Sequence, residues 1–134
     1  MAFAWLNSMS VGDATIDEQH KQLIKIMNEF MEACKNNKGM HELEESLNFL
    51  VDYTVKHFTM EESIQIKRHY PGYAEHKKIH EAFKLKVADI VGKFKKEGPT
   101  PAMVSAFNFE VGNWVMDHIA KEDRKVGDFF KTLK

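Results

Sequence analysis

The chain is 134 residues long, with 43% hydrophobic and 29% charged residues and a formal net charge of −1 at pH 7, which suits one folded domain with a core of its own. The almost balanced charge gives no reason to expect a nucleic acid or an anionic membrane surface as a partner. No apolar run approaches the roughly 20 residues that a membrane-spanning helix needs, so we expect no membrane insertion. The N-terminal segment lacks the basic and apolar parts of a signal peptide, and a single cysteine, Cys34, cannot form an internal disulfide. These features favour the reducing cytoplasm.

Apolar residues recur with a helical period along most of the chain, and they divide it into an arm and four helices. The arm covers about residues 1–15, and the helices cover about residues 16–36, 40–67, 73–96 and 101–131. Short polar or Gly/Pro-containing segments separate the helices: KNNKG at 35–39, RHYPGY at 68–73 and EGPTP at 97–101. Four such helices joined by short loops predict an all-α fold, an up-down-up-down antiparallel four-helix bundle with an N-terminal arm, formed by residues 1–134 as a single domain.

Five of the seven histidines fall on the apolar stripes of the predicted helices, with at least one on every helix. Two pairs of polar residues are spaced four apart, which places both side chains of a pair on one helix face: His57 with Glu61, and His76 with His80. The YPGY turn between them folds the second pair back beside the first. The inward histidines are His20, His57, His76, His80 and His118, whereas His41 and His69 fall at a helix start and in a turn.

These inward positions need an explanation, because a buried polar group without a partner costs on the order of 1–3 kcal/mol. A single inward histidine is usually a satisfied core residue, and one HxxxE or HxxxH spacing is common by chance. Hydrogen bonds between histidines and carboxylates are an alternative form of compensation. Five inward histidines together with an inward Glu61 are better explained by a metal centre.

The ligand types favour iron over the other common metals. Five imidazoles and a carboxylate exceed the four ligands of a structural zinc site, and calcium and magnesium prefer oxygen ligands. Nitrogen-rich sites with carboxylates suit first-row redox metals, iron above all. The number of ligands predicts two metal ions, one with three histidines and the other with two, so that the second ion keeps an open position.

Taken together, the motifs resemble the hemerythrin family, and within it the bacteriohemerythrins. They are DEQHK around His20, HFTMEE from His57, YPGY before the HKKIH that starts at His76, and WVMDHIAKED from Trp114. Each motif alone is weakly specific, whereas all four in this order, one on each helix, are highly specific. The resemblance extends from Trp5 to the C-terminus.

The resemblance implies a non-haem di-iron centre with an oxo or hydroxo bridge that binds dioxygen reversibly. One iron then has three histidine ligands, the other has two and a vacant position, and two carboxylates bridge them. By position in the motifs, the three are His76, His80 and His118, the two are His20 and His57, and the bridges are Glu61 and Asp123. No side chain of the family acts as an acid or base on the dioxygen, so we expect binding and not catalysis.

Four apolar side chains flank the predicted ligands and are expected to wall the vacant position: Phe58, Trp114, Val115 and Ile119. Excluding water there slows oxidation to the di-iron(III) form, which no longer binds oxygen. The same residues are equally compatible with ordinary core packing. Val115 stands where the family commonly has leucine, which predicts wider access to the site.

Several functions are compatible with such a centre. The first is a stand-alone oxygen carrier or store, which fits a chain that begins with Met and ends with its fourth helix. The others are an oxygen- or redox-sensing module of a larger signalling protein and a nitric oxide- or iron-handling protein. A di-iron enzyme is disfavoured, because such enzymes usually have carboxylate-rich ligand sets. Dioxygen is the expected partner, and an acceptor protein or fused signalling domain stays open.

The spacing in the last motif conflicts with an ideal helix. Glu122 lies four residues after His118, whereas Asp123 lies five residues after it and about 140° around the helix. Only the resemblance favours Asp123. Because a π-bulge brings residues five apart back into line, we expect an irregular turn between His118 and Asp123, with Asp123 and not Glu122 in the site.

Overall fold

A computed structural model describes residues 3–36, 40–98 and 100–133. Three long helices come first: α1 (Ala14–Lys35), α2 (Met40–Lys67) and α3 (Tyr73–Glu97). The fourth helix of the bundle has three consecutive parts, α4 (Pro101–Phe107), a π-helical segment (Asn108–Gly112) and α5 (Asn113–Lys131). No strand occurs in the described ranges, and the prediction of an all-α four-helix bundle is confirmed.

The helix ends lie close to those expected from the sequence. The first helix starts two residues earlier than expected, where the Asp13 side chain accepts a 3.0 Å hydrogen bond from the Ile16 backbone N–H and so satisfies a free donor of the first turn. Thr100 caps α4 in the same way, with Pro101 at the first helical position. Residues 37–39 and 99, which belong to the predicted KNNKG and EGPTP loops, lie outside the described residues, as do the first two residues of the arm.

The core divides into a large cluster through the bundle and a small one under the arm. In the large cluster, Phe30 of α1 packs its ring against Phe94 and Phe107, with ring centroids 5.6 and 4.8 Å apart. In the small cluster, Val11 of the arm is fully buried beside Ile16, Val126 and Phe130. The histidine-bearing segments of all four helices lie between these two apolar regions.

The N-terminal arm is fixed to the bundle at both of its ends. The Phe3 backbone N–H donates to Asn28 Oδ1 at 2.9 Å, and Asn28 Nδ2 donates to the Phe3 carbonyl at 2.8 Å. Further along, the Val11 backbone N–H donates to Asp17 Oδ1 at 2.9 Å. Between these anchors, Trp5 packs against the large core cluster. The arm is therefore an ordered cover over one side of the bundle.

The expected irregular turn between His118 and Asp123 is not found, and that prediction was wrong. Helix α5 is α-helical throughout this segment, and the π-helical turn lies upstream, at Asn108–Gly112. No helix in the described part of the chain is long and apolar enough to cross a membrane.

Candidate metal centre

The seven side chains predicted as metal ligands come together in the interior of the bundle. Each helix brings its own members: α1 one histidine, α2 a histidine and a glutamate, α3 two histidines, and α5 a histidine and an aspartate. All are buried, with fractional exposures from 0% to 6%: His20, His57, Glu61, His76, His80, His118 and Asp123. They form two groups of potential ligand atoms, and both groups contain Glu61 and Asp123.

The first group contains three histidines. His76 Nε2 lies 2.7 Å from Glu61 Oε1 and 3.0 Å from Asp123 Oδ1. His80 Nε2 lies 3.4 Å from the same Glu61 oxygen, and His118 Nε2 lies 3.3 Å from the same Asp123 oxygen. The three ring nitrogens therefore converge on one oxygen from each carboxylate.

The second group contains two histidines and faces the other oxygen of each carboxylate. His20 Nε2 lies 3.0 Å from Asp123 Oδ2 and 3.5 Å from Glu61 Oε2. His57 Nε2 lies 3.7 Å from Glu61 Oε2. Glu61 and Asp123 thus each turn one oxygen to the three-histidine group and one to the two-histidine group.

The chemistry of the donor set fits a pair of metal ions. Both oxygens of Glu61 and of Asp123, and Nε2 of His20 and His76, are buried without a hydrogen-bond partner among the described residues. Several lie within 3.0 Å of one another, yet their orientation is not that of hydrogen bonds. Buried acceptors and ring nitrogens without partners are costly in a protein interior. Two cations, one in each group, would give all of these atoms a partner.

Comparison with known proteins decides the family. The family described as "Hemerythrin HHE cation binding domain" matches residues 11–130, a range that contains all seven side chains. The chain belongs to the hemerythrin family.

Three curated relatives, each named bacteriohemerythrin, agree with this assignment. The protein of Stenotrophomonas maltophilia is 27% identical over 128 residues, which cover 96% of this chain and 81% of the relative. That of Methylococcus capsulatus is 32% identical over 112 residues, covering 83% and 82%. That of Campylobacter jejuni is 27% identical over 126 residues, covering 92% and 91%. The resemblance drawn from the motifs is confirmed.

The last helix of the chain brings Asp123, and not Glu122, to the centre. Asp123 is fully buried, whereas Glu122 is half-buried and its carboxylate accepts a hydrogen bond from Lys125 at 3.2 Å. A regular helix suffices because the two side chains differ in reach. Val115, Ile119 and Asp123 follow each other at four-residue spacing along one ridge of α5. His118 lies on the neighbouring ridge, and its long imidazole brings Nε2 across to Asp123.

The charges of the centre suit the binding of cations. Burial would raise the pKa of the Glu61 and Asp123 carboxyl groups, but the surrounding imidazoles hold the pKa of both well below the usual range. Burial would lower the pKa of His20 and His76, yet close contact with the two carboxylates raises it to about 9 and about 10. The two carboxylates therefore favour positive charge beside them, which is the charge that metal ions carry.

The pKa of His57 shifts in the opposite direction from those of His20 and His76. Burial and the positive charge of neighbouring His20 lower its pKa to about 4. A neutral imidazole is the form that binds a metal ion. His57 is therefore ready to act as a ligand without first losing a proton.

Four predicted wall residues pack around the histidines, mostly beside the three-histidine group. Phe58 stacks on His80, with ring centroids 3.8 Å apart, and Trp114 stacks on His118, with centroids 4.5 Å apart. Val115 and Ile119 are 3% and 2% exposed and belong to the large core cluster. The structure thus shows the core-packing role of all four, and their role beside an open metal position stays a prediction.

Three residues near the centre were not predicted from the sequence. Trp5 of the arm places its ring 6.4 Å from that of His20. Gln19 Oε1 lies 2.9 Å from His57 Nδ1, and Glu62 Oε2 lies 2.8 Å from His80 Nδ1. The only sequence signal for the last two is that each adjoins a predicted ligand in a motif, DEQHK or HFTMEE.

The two histidines left out of the predicted ligand set lie away from the centre. His41 is exposed at the start of α2, where Nε2 lies 2.9 Å from Glu45 Oε1. His69 is exposed in the turn between α2 and α3, with a φ of 57°. Neither belongs to a group of potential ligand atoms in the described chain.

Proposed function

We propose that this protein binds dioxygen reversibly at a non-haem di-iron centre and serves as an oxygen carrier or store. The proposal rests on the orientation of the two carboxylates between the two histidine groups. Glu61 and Asp123 each face a three-histidine group with one oxygen and a two-histidine group with the other. Bridging carboxylates between nitrogen-rich, unequal ligand groups suit a pair of iron ions of which one keeps an open position.

The residues would divide the work as follows. His76, His80 and His118 would hold one iron, His20 and His57 would hold the other, and an oxo or hydroxo group would complete the bridge. The two carboxylates offset half of the charge of two iron(II) ions, which lowers the cost of burying that charge. The two iron(II) ions, when bound, would supply the electrons for reversible dioxygen binding.

Binding without catalysis is supported by the residues around the centre. Apart from Glu62 behind His80, the buried titratable groups that converge there would all act as ligands. The side chains of Phe58, Val115 and Ile119 neither donate nor accept protons. These apolar side chains exclude water from the ligand atoms, which slows oxidation of a reduced metal pair. We therefore propose a binding protein and not an enzyme.

The relatives and the composition support the same proposal. Curated proteins that match over most of this chain are named bacteriohemerythrins. With a single cysteine, Cys34, the chain has no internal disulfide, and this supports a location in the reducing cytoplasm.

An optical experiment tests the proposal. The protein is loaded with iron, reduced without oxygen, exposed to air, and then returned to argon. We expect an absorption change that appears in air and reverses under argon over repeated cycles. His57→Ala should lose iron and the optical change, whereas His41→Ala, the same substitution at an exposed histidine, should keep both. One tightly bound zinc that iron cannot displace, or a change in air that argon never reverses, would contradict the proposal.

A further inference from the structure

In two of the five imidazoles of the centre, the ring nitrogen that faces away from the carboxylates, Nδ1, makes a hydrogen bond to another side chain. His57 Nδ1 lies 2.9 Å from Gln19 Oε1, and His80 Nδ1 lies 2.8 Å from Glu62 Oε2. In both residues Nε2 points the other way, toward Glu61, at 3.7 and 3.4 Å. By contrast, Nδ1 of His20 and of His118 is buried without a partner among the described residues.

The two hydrogen bonds fix the same tautomer. A carboxylate oxygen and an amide oxygen both accept hydrogen bonds, so Nδ1 of each ring carries the proton and donates it. The lone pair of each Nε2 is then directed into the centre. A partner of this kind orients a ligand ring and raises its basicity.

The acceptors differ in charge, however. Gln19 offers a neutral amide oxygen to His57, whereas Glu62 offers a carboxylate oxygen to His80, in a contact buried from solvent. A charge-assisted hydrogen bond is about twice as strong as a neutral one. His80 therefore has the more electron-rich ring, and this ring belongs to the three-histidine group. His57 belongs to the two-histidine group, which has one histidine fewer and keeps the open position in the proposed di-iron centre.

We propose that Gln19 and Glu62 are positioning residues that make the two iron sites electronically unequal. Through His80, Glu62 favours iron(III) at the three-histidine site and lowers its reduction potential. Gln19 orients His57 without adding negative charge, so the two-histidine site keeps a higher potential and resists oxidation in the absence of bound oxygen. This inference rests on the proposed di-iron function and assigns roles to residues that do not touch the metal.

The reduction potential of the iron-loaded protein, measured by spectroelectrochemistry, tests the roles of both residues. Glu62→Gln should raise the midpoint potential, and Gln19→Glu should lower it. Because outer hydrogen-bonding partners typically change metal affinity by about 10- to 100-fold, we expect at least a tenfold change in the preference for iron(III) over iron(II). For a one-electron step, tenfold corresponds to about 59 mV.

Two matched variants separate the hydrogen bonds from a general effect of charge. Glu122→Gln removes a half-buried carboxylate beside Asp123 that bonds to Lys125. Gln22→Glu adds a carboxylate on the exposed side of α1, three residues after Gln19. Both should move the potential by much less than the corresponding variant at position 62 or 19.

The outcomes distinguish this inference from the proposed function. If the wild-type protein does not bind two irons per chain, the proposed di-iron function itself is wrong. Wild-type protein with two irons, but shifts no larger than those of the matched variants, would overturn only the roles of Gln19 and Glu62. If Glu62→Gln failed to hold iron, the potential of Gln19→Glu would test the inference instead. A glutamate at position 19 still offers an oxygen that accepts the hydrogen bond from His57 Nδ1. Loss of iron from both variants would contradict the inference, because the residues would then serve assembly and not tuning.

Discussion

Replacing Gly127 with alanine should push the arm away from the last helix and destabilise the fold. Gly127 faces the arm on α5, and a Cβ added there would lie 2.8 Å from the Cα of Val11 and 3.2 Å from its carbonyl oxygen. These are backbone atoms of a fully buried residue, so no side-chain rotation relieves the contact. The arm would have to move, together with the hydrogen bond from Val11 to Asp17.

The size of the effect follows from two opposing terms. Overpacking of a core usually costs about 1–3 kcal/mol, and a clash with backbone belongs in the upper half of that range. Alanine gains up to about 1 kcal/mol over glycine within a helix. We therefore expect Gly127→Ala to lower the free energy of unfolding by about 1–2 kcal/mol.

Gly92→Ala is the matched control. Gly92 is exposed in α3, and a Cβ added there meets nothing within 4 Å, so the substitution should stabilise the protein by about 0.5–1 kcal/mol. Urea unfolding of both iron-loaded variants, at the same iron concentration, should show a difference of about 1.5–3 kcal/mol, since the contribution of bound metal is common to both. Equal stability would refute the packing of the arm against α5.

Three further predictions concern the centre. Asp123→Asn should lose most of the bound iron, because it removes a buried bridging charge, whereas Glu122→Gln should keep it; metal analysis that finds the reverse would show that the wrong residue of α5 was assigned. Val115→Leu should keep the iron but slow oxygen uptake or release in stopped-flow measurements, because it adds a methylene to a position that is 3% exposed; unchanged rates would place Val115 away from the access route. His41→Ala and His69→Ala should keep full iron content and oxygen binding, since both side chains are exposed; loss of iron from either would contradict the assignment of inward and outward helix faces.

The sequence predicts the bundle, the five inward histidines and Glu61 from helical periodicity, whereas Asp123 followed only from the family resemblance. The histidines and Glu61 stand out as polar residues on apolar stripes, and stripes of adjacent helices must face one another in a four-helix core. The side chains that support the ligands have no such signal. Gln19 and Glu62 each lie next to a ligand in the chain, about 100° around the helix from it, so their positions resemble those of ordinary surface residues.

The position of the π-helical turn was predicted wrongly, because two different intervals in the last helix both call for an irregular turn. The five-residue interval from His118 to Asp123 predicts an irregular turn there. The imidazole of His118 is long enough, however, to reach Asp123 from a regular helix. A different interval fits the observed turn: buried residues recur at every fourth position from Met103 to Asp123. At four-residue spacing the direction drifts by about 40° per step in a regular α-helix. The wider turn at Asn108–Gly112 takes up part of that drift, so α4 and α5 bury one continuous face.

We propose that two irons share Glu61 and Asp123 and bind oxygen as one unit. The most direct measurement combines metal analysis with oxygen uptake by the reduced protein in a closed cell. The proposed centre predicts two irons per chain and one dioxygen taken up for every two irons, with the gas recovered when the oxygen pressure is lowered. One dioxygen per iron, uptake that cannot be reversed, or a single metal ion per chain would contradict it.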